Sequence, residues 1–104
     1  MFRGEVWDVR FPGFGEHPGI ILSVNAYNQR LGHVAVIPVT GTSGPAMSHV
    51  ALSLDAGLTR YRESYADVTT LQAIARGRFL RRRGLLVAAE MGHVEQAIRI
   101  YLAL

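Results

Sequence analysis

Residues 16–40 read EHPGIILSVNAYNQRLGHVAVIPVT, and this stretch decides the fold. Gly19-Ile20-Ile21-Leu22-Ser23-Val24 is a short apolar run that reads as a buried strand. Val34-Ala35-Val36-Ile37-Pro38-Val39-Thr40 reads as a second, with Asn25 to Gly32 as the polar connection between them. If the two pair antiparallel, the start of the first lies beside the end of the second. Neighbouring strands are spaced about 4.8 Å apart, so His17 and Thr40 are expected in one small polar patch at a sheet edge. The register decides which face each occupies, because a slip of one residue reverses the faces of a strand. An imidazole beside a hydroxyl is a candidate site, since a group with an ordinary pKa of about 6.5 can act as acid or base near neutral pH.

Working outward, Glu5 to Phe11 alternates with period two, which puts Glu5, Trp7, Val9 and Phe11 on one face and Val6, Asp8 and Arg10 on the other. Pro12-Gly13-Phe14-Gly15 is a turn with breakers on both sides of one aromatic. Gly41 to Pro45 is a loop, His49 to Leu54 a fourth strand, Ser64 to Thr69 a fifth, Leu71 to Phe79 a short helix and Arg82 to Leu86 a last strand. Met91, Val94, Ile98 and Tyr101 recur at helical spacing and predict a closing helix with one apolar stripe. Glu90 suits the positive end of its dipole, while Val87 and Ala88 are poor caps. The pattern predicts a mainly β fold, a compact antiparallel barrel with helical attachments, in one domain over residues 1–104.

Composition narrows the chemistry. The chain has no cysteine, which excludes a disulfide framework and a thiolate nucleophile. Its histidines, at positions 17, 33, 49 and 93, lack ligand spacing, so no metal cofactor is expected. No apolar run approaches the roughly 18 residues of a membrane span, and Met1-Phe2-Arg3-Gly4-Glu5 does not open a signal peptide, so a cytoplasmic protein is expected. The formal net charge is +3 and every basic residue is Arg. Codon bias in a GC-rich genome is the ordinary reason for missing lysines, but it does not account for Arg76, Arg78, Arg81, Arg82 and Arg83 falling close together. Such a run is first a solvated face and second a phosphate-binding surface. His33 reads as a turn residue, His49 as a strand position and His93 as the exposed side of the last helix, none with assigned chemistry; Trp7 and Phe11 read as core.

Five pieces in this order make the chain resemble the MazF/PemK family of toxin endoribonucleases over nearly its whole length. They are Arg3-Gly4-Glu5-Val6-Trp7, His17-Pro18-Gly19-Ile20-Ile21-Leu22-Ser23, Asn25-Ala26-Tyr27-Asn28, Ile37-Pro38-Val39-Thr40, and Glu90-Met91 through Leu104. The resemblance implies a small SH3-like, CcdB-like antiparallel barrel with a C-terminal α-helix, acting as a homodimer. It implies sequence-specific, metal-independent cleavage of single-stranded RNA by 2′-hydroxyl attack, restrained by a cognate antitoxin with an acidic segment.

Carried over by position, Thr40 matches the family threonine after the third strand. His17 stands where the family usually has an arginine at the scissile phosphate, and Thr69 stands where it commonly has aspartate; Asp67 lies two residues earlier, on the same face of an extended strand. The loop before His17 is several residues shorter than is usual. The resemblance therefore implies a catalytic set of His17, Thr40 and Asp67, with Asp67 orienting or charging His17, and RNA contacts from Arg10, Glu16, Thr42, Thr69 and Arg78. Two alternatives from other classes are a binding protein that poisons a topoisomerase as CcdB does, and a cleavage-deficient family member that binds an antitoxin.

Overall fold

The computed structural model describes residues 1–53 and 63–104. The first strand, β1 (Glu5–Phe11), turns through residues 12–14 into β2 (Gly15–Ile21). The reversal uses two glycines in the left-handed region, Gly13 and Gly15, each with φ of 82°, where a Cβ would be strained. The β1–β2 ladder runs from Val6↔Ile20 to Phe11↔Gly15. That continuous pairing draws Gly15 to Pro18 into the strand, so β2 begins four residues before the Gly19 expected from the apolar run and ends at Ile21 instead of Val24. A single helical turn, α1 (Asn25–Asn28), follows. Asn28 is fully buried and pins it: its Nδ2 donates to Ser23 O at 2.8 Å, and its carboxamide oxygen accepts from the Ser23 hydroxyl.

The next strand, β3 (His33–Thr40), organises the sheet. One edge pairs with β2 through Gly19↔Pro38, Ile20↔Ile37 and Ile21↔Val36. The other edge is divided. Its first half pairs with β6 (Gln72–Ala75) from His33↔Ala75 to Val36↔Gln72, and its end pairs with β5 (Ser64–Asp67) through Val39↔Ala66 and Thr40↔Tyr65. Pro38, which has no N–H to donate, lies at this changeover. The strand β4 (His49–Leu52) pairs outside β5, and β7 (Phe79–Leu85) pairs outside β1, giving the order β4-β5-β3-β2-β1-β7 among the described residues. The two ends of this path do not pair with each other, so the sheet is curled and barrel-like but open.

Four expectations change here. The helix expected over Leu71–Phe79 is instead β6 followed by a 3₁₀ turn at Arg76–Arg78. The reason is tertiary: the first half of β3 offers an unpaired edge, and Gln72–Ala75 fills it, burying Ile74. The fifth strand stops at Asp67, where the Asp67 side chain caps a 3₁₀ turn at Val68–Thr70, and the last strand starts at Phe79, three residues before Arg82. The fourth strand ends at Leu52; the expected terminus, Leu54, lies outside the described residues.

Both faces of the sheet are apolar, as alternation in β1 requires. Val6, Ile20, Ile37 and Val39 join Leu86, Met91, Val94 and Ala97 in one cluster, which the C-terminal helix α2 (Ala88–Leu102) covers. Val9, Phe11, Ile21, Val34, Val36, Ile74 and Phe79 form the other, with Trp7 packed against it. In α2 the stripe shifts from its expected line: Ala97 is buried, Ile98 is partly covered, and Tyr101 is exposed. No side chain caps the start of the helix at Val87. Gly19 is required by packing, because a Cβ there would meet Val36 Cγ2 at 2.7 Å and Phe11 Cζ at 3.0 Å. No helix among the described residues is long and apolar enough to cross a membrane.

The basic run is largely tied to its own chain. Arg81 and Arg83 lie 3.4 and 3.3 Å from the carboxylate of Asp8, Arg82 lies 2.5 Å from that of Glu5, and Arg76 donates to the carbonyl of Asn28. Burial alone would raise the Glu5 pKa, but the Phe2 N–H at 2.7 Å, the Arg82 guanidinium and the Trp7 indole N–H at 3.1 Å outweigh it and hold the carboxyl below its ordinary range. A carboxylate whose folded pKa lies below its unfolded value of about 4.3 contributes stability that is complete above that value and lost as pH falls through the folded pKa. Glu5→Gln is expected to cost about 1–3 kcal/mol at neutral pH, with the difference from wild type closing in acid; urea denaturation from pH 7 to pH 3 measures it.

Candidate active site

The β2–β3 register places the first candidate residues. The β2–β3 ladder ends at Gly19↔Pro38, two residues short of His17 on β2 and of Thr40 on β3. Both side chains line one cleft of about 310 Å³, together with Phe14 from the β1–β2 turn, Pro38 and Val39 from β3, Thr42, His49 from β4, and Asp67 and Thr70 from β5 and its 3₁₀ turn.

His17 is half-buried, and its ring stands edge-on to that of Phe14 at 6.4 Å between centroids. Its Nε2 lies 3.2 Å from the carbonyl oxygen of Phe14. A carbonyl only accepts, so Nε2 carries the hydrogen, and in the neutral ring the lone pair is on Nδ1. Thr40 Oγ1 accepts from the Thr42 N–H at 3.1 Å, which leaves the Thr40 hydroxyl proton as the group able to donate.

Asp67 lies in the same cleft, and the imidazole it meets is His49 of the neighbouring strand. His49 and Asp67 are Cα partners in the β4–β5 ladder, with Nε2 and Oδ2 3.6 Å apart. The other carboxylate oxygen of Asp67 accepts from Thr69 N at 3.1 Å and from Thr69 Oγ1 at 2.6 Å. On its far side His49 Nδ1 contacts Ser48 Oγ at 2.8 Å. The loop before β4 closes over this ring: a Cβ on Gly44 would come within 2.5 to 2.7 Å of its Cε1, Nδ1 and Nε2.

The other sequence candidates sit at the rim or away from the cleft. Thr42 lines it, and Thr69 stands exposed beside Asp67. Arg10 and Glu16 face each other at the end of the β1–β2 hairpin, and Arg78 donates to the Arg10 carbonyl at 3.2 Å, so these three form a separate charged group around the hairpin. His49 is the residue that sequence reasoning passed over. Its membership of the cleft depends on the β4–β5 register, and the connection between those strands has no turn motif that fixes one. Among the described residues no cluster of three or more His, Asp or Glu side chains is placed to hold a metal ion.

A family model for PemK-like, MazF-like toxins of type II toxin–antitoxin systems matches residues 2–102. The chain belongs to this family. Endoribonuclease MazF9 of Mycobacterium tuberculosis is 31% identical over 116 aligned residues, spanning 100% of this chain and 98% of that protein. Two solved structures share the fold. A mycobacterial endoribonuclease in complex with its cognate antitoxin superposes with a TM-score of 0.89 at 24% identity, covering 100% of this chain and 96% of that one. The M. tuberculosis toxin MazF-mt6 gives 0.84 at 22% identity, covering 96% and 97%. The MazF fold is thus retained with His17 at the strand-two position.

The packing of Gly44 on His49 makes a direct test of the cleft wall. Gly44→Ala is expected to push the imidazole off Asp67, so the ring resonances of His49 should shift most among the four histidines and those of His33 should stay in place. Unmoved His49 resonances would show that the loop yields instead.

Proposed function

We propose that this MazF-family endoribonuclease cleaves single-stranded RNA at short sequence motifs, by attack of a 2′-hydroxyl on the adjacent phosphate and without a metal, as a single domain over residues 1–104 in the cytoplasm. The observation that supports it is that His17 from β2 and Thr40 from β3 line one cleft, at positions where the sequence resemblance implies phosphate-contacting residues. His17, anchored through Nε2, offers Nδ1 as the base for the 2′-hydroxyl. Thr40 donates its hydroxyl to a phosphate oxygen. Asp67 adds a negative charge that balances an imidazolium in the cleft. Thr42 and Thr69 offer hydroxyls to the sugar-phosphate chain from the cleft and its rim, and Arg10 and Arg78 guide RNA at the hairpin end, where Glu16 offers an acceptor to base donors.

Purified protein incubated with mixed single-stranded RNA in EDTA should cut it at a short recurring motif, read by mapping the ends. His17→Ala should slow cleavage by about 10²- to 10⁴-fold, the usual worth of a positioned proton transfer, with the melting temperature unchanged; Thr40→Ala should be impaired as well. His17→Arg separates the two roles of the position: retained cleavage shows that the site needs a cation at the phosphate, whereas loss shows that it needs a base. Equal cleavage by wild type and His17→Ala overturns the assignment.

Regulation follows from the same surface. The named relatives include an endoribonuclease solved with its cognate antitoxin, and an antitoxin segment suits this surface if its apolar side chains meet the exposed ring of Phe14 in the cleft and its carboxylates reach Arg10 and Arg78 at the hairpin end. The toxin itself is proposed to be a two-fold homodimer, the common closed solution for a small protein. Light scattering at micromolar concentration should give twice the 11.4 kDa chain mass, and an acidic antitoxin peptide should displace uncleavable RNA. A monomer, or simultaneous binding in which neither ligand weakens the other, counts against this scheme.

A further inference from the structure

We infer that His49 is the second proton-transfer group of the cleft, giving its Nε2 proton to the leaving 5′-oxygen while His17 takes the proton of the 2′-hydroxyl; this rests on the reading of the cleft as an RNA-cleaving site. An in-line displacement at phosphorus needs its base and its acid on opposite sides of the reacting phosphate. The strand order β4-β5-β3-β2 supplies that arrangement. His49 and His17 come from the two outer strands, Thr40 and Asp67 come from the two between, and all four side chains line the same cleft. A phosphate held at Thr40 is therefore flanked by an imidazole on each side.

The contacts of the two rings differ. The Ser48 hydroxyl, within reach of the Pro45 carbonyl oxygen at 3.2 Å and of His49 Nδ1 at 2.8 Å, can donate to the first and accept from the second. On the other side of the ring, Nε2 lies beside a carboxylate oxygen of Asp67. With Ser48 turned that way, both ring nitrogens of His49 have an acceptor or a balancing charge beside them when they carry hydrogens, which is the form of a general acid. His17 has one nitrogen committed to a carbonyl and the other open, which is the form of a general base. A ring beside a carboxylate and a ring with one open nitrogen suit the acid and base roles of such a pair.

Geometry also leaves the proton transferable. At 3.6 Å the Nε2–Asp67 contact is longer than a hydrogen bond, so a hydrogen on Nε2 stays available to an incoming oxygen while Asp67 balances the charge. Asp67 is itself held by two donors from Thr69, and Gly44 lies against the ring. The titratable groups facing His49 are Asp67 from β5, His17 across the cleft, and His93 from α2, which shares a second hollow with it. In the balanced step the 2′-hydroxyl proton passes to His17 Nδ1, the 2′-oxygen bonds to phosphorus, and the bond from phosphorus to the 5′-oxygen breaks. Its electron pair stays on that oxygen, which takes the proton from His49. The products are a 2′,3′-cyclic phosphate and a 5′-hydroxyl, and solvent restores the two rings.

An RNA whose scissile 5′-oxygen is replaced by sulfur tests the role, because a thiolate leaves without an acid. Wild type should cut both substrates, with a bell-shaped pH dependence on ordinary RNA. His49→Ala should cut ordinary RNA about 10²- to 10⁴-fold more slowly, lose the alkaline limb of the profile, and cut the sulfur-bridged RNA at close to the wild-type rate. His49→Gln, which keeps side-chain bulk in the wall, should behave the same way, whereas His17→Ala should be slow on both substrates. The proposal is overturned if both His49 variants cut ordinary RNA as wild type does, or if they are slowed equally on the two substrates. Wild-type protein that cuts neither substrate refutes the cleavage reading itself.

Discussion

The sharing of one edge of β3 between two strands is the constraint on which the rest of the structure depends. A strand in an ordinary sheet has one neighbour on each side; β3 has β2 along one edge and gives the other to β6 and then to β5. A single chain can make that changeover only by leaving one strand and entering the next over a short distance. The 3₁₀ turn at Val68–Thr70 does this, with Val68 buried and its N–H bonded to Ser48 O at 3.0 Å. The sheet curls around the changeover, and the cleft opens beside it. Thr40 at the end of β3, His17 across from it, and Asp67 at the start of the turn follow from that one arrangement.

Electrostatics at the site are set less by the number of arginines than by where their partners are. Asp8 and Glu5 are nearly buried on β1 and receive three guanidinium groups from β7, so much of the basic run serves to neutralise carboxylates at a strand interface. Burying those carboxylates without partners would cost far more than the ion pairs gain. The side chains lining the cleft include no arginine. The basic side chains there are imidazoles, which can transfer protons, whereas a guanidinium stays charged and serves chiefly to hold phosphate. An imidazole at position 17, where the sequence resemblance implies an arginine, changes the kind of chemistry available there, and His49 in the same cleft gives that change a partner.

The sequence by itself determined the elements with strong periodicity and the residues that pair through them. The alternation of Glu5–Phe11, the apolar runs on either side of Asn25–Gly32 and the helical spacing of Met91, Val94 and Ile98 each report burial on a fixed face, which local pattern encodes directly. The shared cleft of His17 and Thr40 was legible for the same reason, since in two adjacent antiparallel strands the start of one lies near the end of the other. Tertiary structure alone decided what depends on distant edges. Gln72–Ala75 is a strand because β3 has an unfilled edge, a fact about residues roughly forty positions away, and the same sequence carries no period that separates strand from helix. His49 meets Asp67 only through the register of β4 on β5, and the Arg76–Arg83 run finds its partners only when β7 lies against β1. Hydrophobic periodicity is a property of neighbours in the chain; ladder register and charge pairing between remote strands are properties of neighbours in space.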